Sequence, residues 1–200
     1  MTQIMTAPEM TDGQIENAVN KLRDAMRKHR SEISSDTAQQ VLGVENLGME
    51  LFTPIRAHAE HISKMIVRPF KVDRTKTPAE LLAACKRVPW YIDEAVLATI
   101  PMDGPEEGDL FFFPLEKNTP VDQIVQVFED HGFVPDYAAQ MQVNADDPAF
   151  ADKHPNGMQW GKNSYAYFDR SGDGRKVFVN RRDFSWFGYI WFAGRRKPLV

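Results

Sequence analysis

Two hundred residues, 42% hydrophobic and 26% charged, can bury a sizeable core, roughly 70% of the surface that the unfolded chain exposes. A formal net charge of −4 is ordinary for a soluble protein, and its uneven spread suggests a polar surface with two faces, not a generic polyanion binder. The single cysteine, Cys85, excludes an intramolecular disulfide and points to a reducing compartment, and no apolar run approaches the ~20 residues that span a bilayer.

The charge is unevenly spread. Residues 1–64 carry −2, residues 65–163 carry −7 and residues 164–200 carry +5, so a basic end follows an acidic body. The opening MTQIMTAPEMTDGQ has neither the basic nor the apolar region of a secretory signal, so the expected location is cytoplasmic, with no membrane partner.

In chain order, Thr11-Asp12-Gly13-Gln14 has the spacing of a capping box. Behind it Ile15, Val19, Leu22 and Met26 recur at helical spacing, which predicts an amphipathic helix ending near Arg30. A short helix is expected over 36–42, closed by Gly43. Leu47, Leu51, Ile55, Ala59 and Ile62 continue an apolar stripe, interrupted at Thr53-Pro54 because Pro is tolerated at a first helical position. Residues 1–64 thus read as a helical region that must pack on something, self-association being one outlet.

Beyond Lys64, MIVRPFKVD reads as a strand that Pro69 pushes to a sheet edge. Thr77-Pro78-Ala79-Glu80 opens a capped helix to about Lys86, and 93–98 suggests another. GDLFFFPLE is a second strand, and Thr119-Pro120 opens a helix carrying Val121, Ile124, Val125 and Phe128 that Gly132 stops. Residues 144–160 read as a long loop, followed by strands at SYAYFDR, KVFVNRR and FGYIWFAG. The expected fold is α+β: a helical region over 1–64, then a domain over 65–200 with a mixed or antiparallel sheet of about five strands.

Three segments carry a resemblance: VDRTKTP at 72–78, DDPAFADKHPNG at 146–157 with Trp160, and WFAGRRK at 191–197. Together they resemble a family of bacteriophage, prophage and mobile-element proteins with no assigned activity, over roughly 65–200. The resemblance supplies no catalytic residues. It implies a setting, an accessory protein that binds or inhibits a host or phage protein.

The motif-like strings each have a plainer reading. Asp169-Arg170-Ser171-Gly172-Asp173-Gly174 matches the front half of an EF-hand loop, but its twelfth position is Asn180, and a hairpin turn accounts for the glycines. His58 and His61 stand one helical turn apart without the spacing of a zinc-protease motif, and a solvated helix face suffices. Asp146, Asp147, Asp152 and His154 can serve a metal-dependent hydrolase, yet Asp-Pro and His-Pro-Asn-Gly are also turn chemistry. Cys85 sits in LLAACKR without an evident base and reads as a packing residue. With no nucleophile elbow, phosphate loop or dinucleotide fingerprint, the chain reads as non-enzymatic, with no cofactor, catalytic residue or metal ligand assigned.

The aromatic and basic end, RRDFSWFGYIWFAGRRK at 181–197, is the remaining candidate. As one strand it sets Trp186, Gly188, Ile190 and Phe192 on one face and Phe187, Tyr189, Trp191 and Ala193 on the other. Arg182, Trp186, Tyr189, Trp191, Arg195 and Arg196 are the candidate partner-binding residues, against the plainer reading that most of the rings are core. The expectation is a binding protein with a protein partner. Nucleic-acid binding by the basic sheet is the alternative, and hydrolysis at the 146–154 loop the second.

Overall fold

A computed structural model describes residues 9–172, 174–181 and 183–197, the side chains of His58 and His61 excepted. The chain divides into two compact units between Ala57 and His58.

The first unit is helical. Helix α1 (Asp12–Lys28) begins at the expected capping box, in which Gln14 N–H donates to Thr11 Oγ1 and Thr11 N–H donates to Gln14 Oε1. Helix α2 (Ser35–Leu42) is capped by Ser34. Helix α3 (Leu47–Ser63) passes through Pro54 without ending, which corrects the expected interruption. Thr53 Oγ1 instead donates back to Met49 O, occupying a carbonyl one turn earlier. Among the described residues of 9–57, none is buried.

The second unit, which takes in the end of α3, is α+β as expected, with a mixed sheet of eight strands where the sequence counts five. In chain order its elements are β1 (Ile66–Lys71), α4 (Pro78–Ala84), β2 (Val88–Ile92), α5 (Glu94–Leu97) and β3 (Glu107–Pro114). Then come β4 (Thr119–Pro120), α6 (Ile124–Asp130), β5 (Phe133–Pro135), α7 (Tyr137–Asp146) and α8 (Phe150–Lys153). The last are β6 (Asn156–Trp160), β7 (Ser164–Ser171), β8 (Gly174–Arg181), β9 (Ser185–Trp186) and β10 (Trp191–Arg196). The sheet runs β1-β3-β10-β6-β7-β8-β2, with β5 added to β10, while β4 and β9 form a separate pair. β1 lies at one edge, as Pro69 requires, and β2 at the other, parallel to β8.

Three expectations are corrected. Residues 144–160 are not a loop but the end of α7, the short α8 and the fully buried β6. Thr119-Pro120 pairs with Trp186-Ser185 instead of starting a helix, and the helix begins after it. FGYIWFAG is not one strand: Ile190 N–H donates to Phe187 O, closing a turn between β9 and β10.

One sheet face packs against α4, α5, α7 and α8 through Leu81, Leu97, Met141 and Phe150, meeting Leu110, Phe112, Phe168 and Val179. The other face is covered at β3 and β10 by α6 and the β4–β9 pair, around Phe113, Phe128, Trp186 and Phe192. Because the period of a strand is two, the same residues that point away from the helices on β7 and β8 are left on a less covered surface.

Candidate functional site

That surface is a groove of about 240 Å³ whose walls are almost wholly aromatic. Its floor is Trp186, only 3% exposed, with its indole N–H donating to Gln159 Oε1 at 2.7 Å. Tyr165 and Tyr167 of β7 line it because they alternate with Ala166 and Phe168, which face the helices. Phe178 of β8 alternates likewise between Val177 and Val179. On β2, a register shift between Pro89 and Tyr91 lets two consecutive rings reach Phe178, Trp90 at 5.7 Å and Tyr91 at 6.0 Å.

The opposite wall is the turn between β9 and β10. Phe187 and Tyr189 stack at 5.5 Å with their planes 7° apart, and both stand out from the surface. The turn is held against the chain at 116–118, where Gly188 N–H donates to Asn118 Oδ1 at 3.1 Å. A Cβ at Gly188 would lie 2.8 Å from the Lys117 backbone, so only glycine permits this approach. Trp90, Phe187 and Tyr189 remain 63%, 57% and 59% exposed.

The groove's polar atoms are few. The Tyr167 hydroxyl donates to Asp169 Oδ2 at 3.2 Å, and burial, then the Asp169 carboxylate, raise its pKa well above the ordinary tyrosine range. Asp169 is itself raised by burial, against the opposing effect of the Tyr167 hydrogen bond and the Arg87 charge, so the pair forms a desolvated polar edge. Rings around an apolar hollow with little charge suit the side chains of a protein segment.

The expected residues do not stay together. Trp186 is the floor and Tyr189 a wall, but Trp191 lies on the helix-packed face, its ring 4.8 Å from that of His154. Arg195 Nε sits 3.4 Å from Asp136 Oδ2, near but not aligned for a hydrogen bond, and Arg196 lies over the Phe111 ring at 4.9 Å. Arg182 lies outside the described residues. Not among the expected binding residues are Phe184, Phe187, Trp90, Tyr165, Tyr167 and Phe178. The alternation of SYAYFDR and KVFVNRR carries a signal for the last three, whereas VPWYI is obscured by Pro89.

Four basic residues of the basic end lie against carboxylates of the acidic body. Arg170 and Arg175 reach Asp152, Arg195 approaches Asp136, and Lys197 pairs with Glu129. Arg87, its side chain wholly buried, donates to the carbonyls of Asp169 and Pro148 and stands 3.8 Å from Asp152. Asp152 is therefore held by arginines, while His154 faces Phe150 and Trp191 and is lowered in pKa by burial. Asp146 accepts from Gln142. The acidic loop residues thus have separate neighbours, and among the described residues no group of three His, Cys, Asp or Glu is placed to hold a metal.

The Asp169–Gly174 string is a hairpin turn in which Ser171 pairs with Gly174 and Gly172 has a φ of +58°. Asp173 lies outside the described residues, as do the side chains of His58 and His61. Among the described residues no helix is long and apolar enough to cross a membrane. In comparisons with known proteins, no family model, curated protein or solved structure matches the chain.

Proposed function

We propose that the chain is a non-enzymatic binding protein whose recognition surface is the aromatic groove between β2 and the β9–β10 turn. The observation that supports this most is the exposure of Trp90, Phe187 and Tyr189 around a hollow with a ready-made aromatic floor. Rings of this size left in water cost free energy that a partner's apolar side chains recover, at about 25 cal/mol per Å² buried.

The occupant is an extended segment of a partner protein carrying apolar or proline side chains. β2 ends the sheet and its residues are exposed or half-buried, so an incoming segment can add as the next strand and turn alternate side chains into the groove beside Trp90. The setting implied by the three resembling segments, a mobile-element protein acting on a host or phage protein, is consistent with such a surface. The nucleic-acid alternative draws less support, because Arg195, Arg196 and Lys197 lie against Asp136, Phe111 and Glu129 instead of beside the exposed rings.

The test is selection of displayed peptides on the intact protein, followed by titration of selected peptides against Trp90→Ala and Tyr189→Ala. The expected result is enrichment of extended apolar or proline-bearing sequences, with each substitution weakening binding at least about tenfold, the scale of a buried aromatic anchor. Peptides indifferent to both substitutions would overturn the assignment. Single-stranded oligonucleotides whose binding falls steeply with salt would favour the alternative instead.

A further inference from the structure

The first unit presents a face with different physics. Ile15, Val19, Leu22 and Met26 of α1 are 46%, 46%, 43% and 60% exposed, and no residue of the helix is buried. Their spacing of four, three and four residues is that of a coiled-coil seam, narrower than the broad stripe of a helix packed on a globular core. A shallow hollow runs beside the seam, lined by Val19, Leu22 and Met26 and by Arg23, Arg27 and Arg30.

We propose that α1 pairs with α1 of a second copy of this chain, antiparallel. Seam geometry sets Val19 and Leu22 of one helix against Leu22 and Val19 of the other, with Ile15 against Met26 outside them. The flanking positions decide the direction. On one side of an antiparallel pair Glu16 meets Arg23 of the second copy, twice by symmetry. On the other side Ala18 meets Ala25, and two small residues allow close approach of the helices.

A parallel pair fits less well. It would set Arg23 against Ala18 and Asp12 against its own copy, leaving Glu16 and Arg23 without each other. Antiparallel alignment also sets each helix dipole against the opposite end of the other. The seam is self-complementary, which is what a twofold interface requires.

The full chain provides the test. Analytical ultracentrifugation across a concentration series is expected to show the 22.9 kDa chain converting to a species of twice that mass. Leu22→Glu is expected to abolish the conversion, and Arg23→Glu to weaken it about tenfold by setting like charges together. Adding Glu16→Arg protein to Arg23→Glu protein restores pairing between the two. Under oxidation, Val19→Cys protein cross-links to Leu22→Cys protein more readily than to itself. The native Cys85 is buried and does not compete.

A chain monomeric throughout the series overturns the proposal, and so does a dimer that persists in Leu22→Glu. Preferential self-cross-linking of Val19→Cys overturns the antiparallel direction. The helical circular dichroism of each variant, to which α1 contributes 17 residues, reports whether the helix and the fold are retained.

Discussion

The Cys85 thiol is enclosed between Leu81 O at 3.4 Å and Met141 O at 3.3 Å, and loss of water around its charged form pushes its pKa up to about 12. The native protein is therefore expected to resist iodoacetamide at pH 8, and to be alkylated only at the rate of its opening, as mass spectrometry would read. The sign of the pH effect follows. From the ordinary value of 9.0 up to about 12, the unfolded chain releases a proton that the folded chain keeps. Stability contributed by this site therefore falls as pH rises through that window. Urea melts at pH 8 and pH 10 that show no fall, either in the native protein or relative to Cys85→Ala, would contradict the assignment. At the groove, Gly188→Ala drives a methyl against the Lys117 backbone and is expected to cost about 1–3 kcal/mol while displacing Phe187 and Tyr189. Chemical denaturation gives the first effect, and loss of selected-peptide binding the second.

Among the elements, α7 shows best why part of the fold is hidden in the sequence. It is buried nearly all round, so DYAAQMQVNAD has no apolar stripe for a periodicity search to find. Its register is set by polar contacts instead. Gln140 and Asn144 each donate to Asn156 Oδ1 at 2.9 Å, and Asn156 donates back to Asn144 at 3.2 Å. Such a network depends on β6 lying beside the helix, a pairing that no local pattern announces. Asn156→Ala removes one of the two acceptors that each of two buried amides uses and is expected to cost about 2–3 kcal/mol, measured by urea unfolding. Asp136 caps α7 through Ala139 N–H, pairs with Arg74 at 2.7 Å and lies beside Arg195, so Asp136→Ala is expected to cost about 3–5 kcal/mol. Elements with their own caps, such as α1 and α4, are readable from sequence because Thr11 and Thr77 act within four residues. The break between β9 and β10 is not, since its cause is the approach of Gly188 to a backbone some 70 positions earlier.

For the whole molecule, the charge asymmetry of the sequence turns inward. Arg170, Arg175, Arg195 and Lys197 meet carboxylates at Asp152, Asp136 and Glu129 of the acidic body, so part of the positive charge of 164–200 is balanced within the second unit. At this scale the sequence leads to the expectation that 1–64 packs on something, and the structure leaves apolar side chains of the first unit exposed. Hydrogen exchange is expected to divide the same way. At low concentration amides of α1 should exchange much faster than those of β6 and β10, and raising the concentration should slow α1 alone if the second copy covers it. Equal protection of α1 at all concentrations would argue against pairing there.

The position of β10 has a consequence for how the protein is made. It is the last of the sheet's strands in chain order, yet it lies in the interior, against β3 on one side and β6 and β5 along the other. A ribosome that has delivered everything up to Ile190 has therefore delivered two half-sheets with nothing to join them. Each would expose to the cytosol of any expressing cell the edges that β10 later occupies. Folding of the second unit is in this sense held back until β10 has been made. A stop codon placed just before Trp191 should yield an insoluble or rapidly degraded product, because both edges that β10 covers stay open.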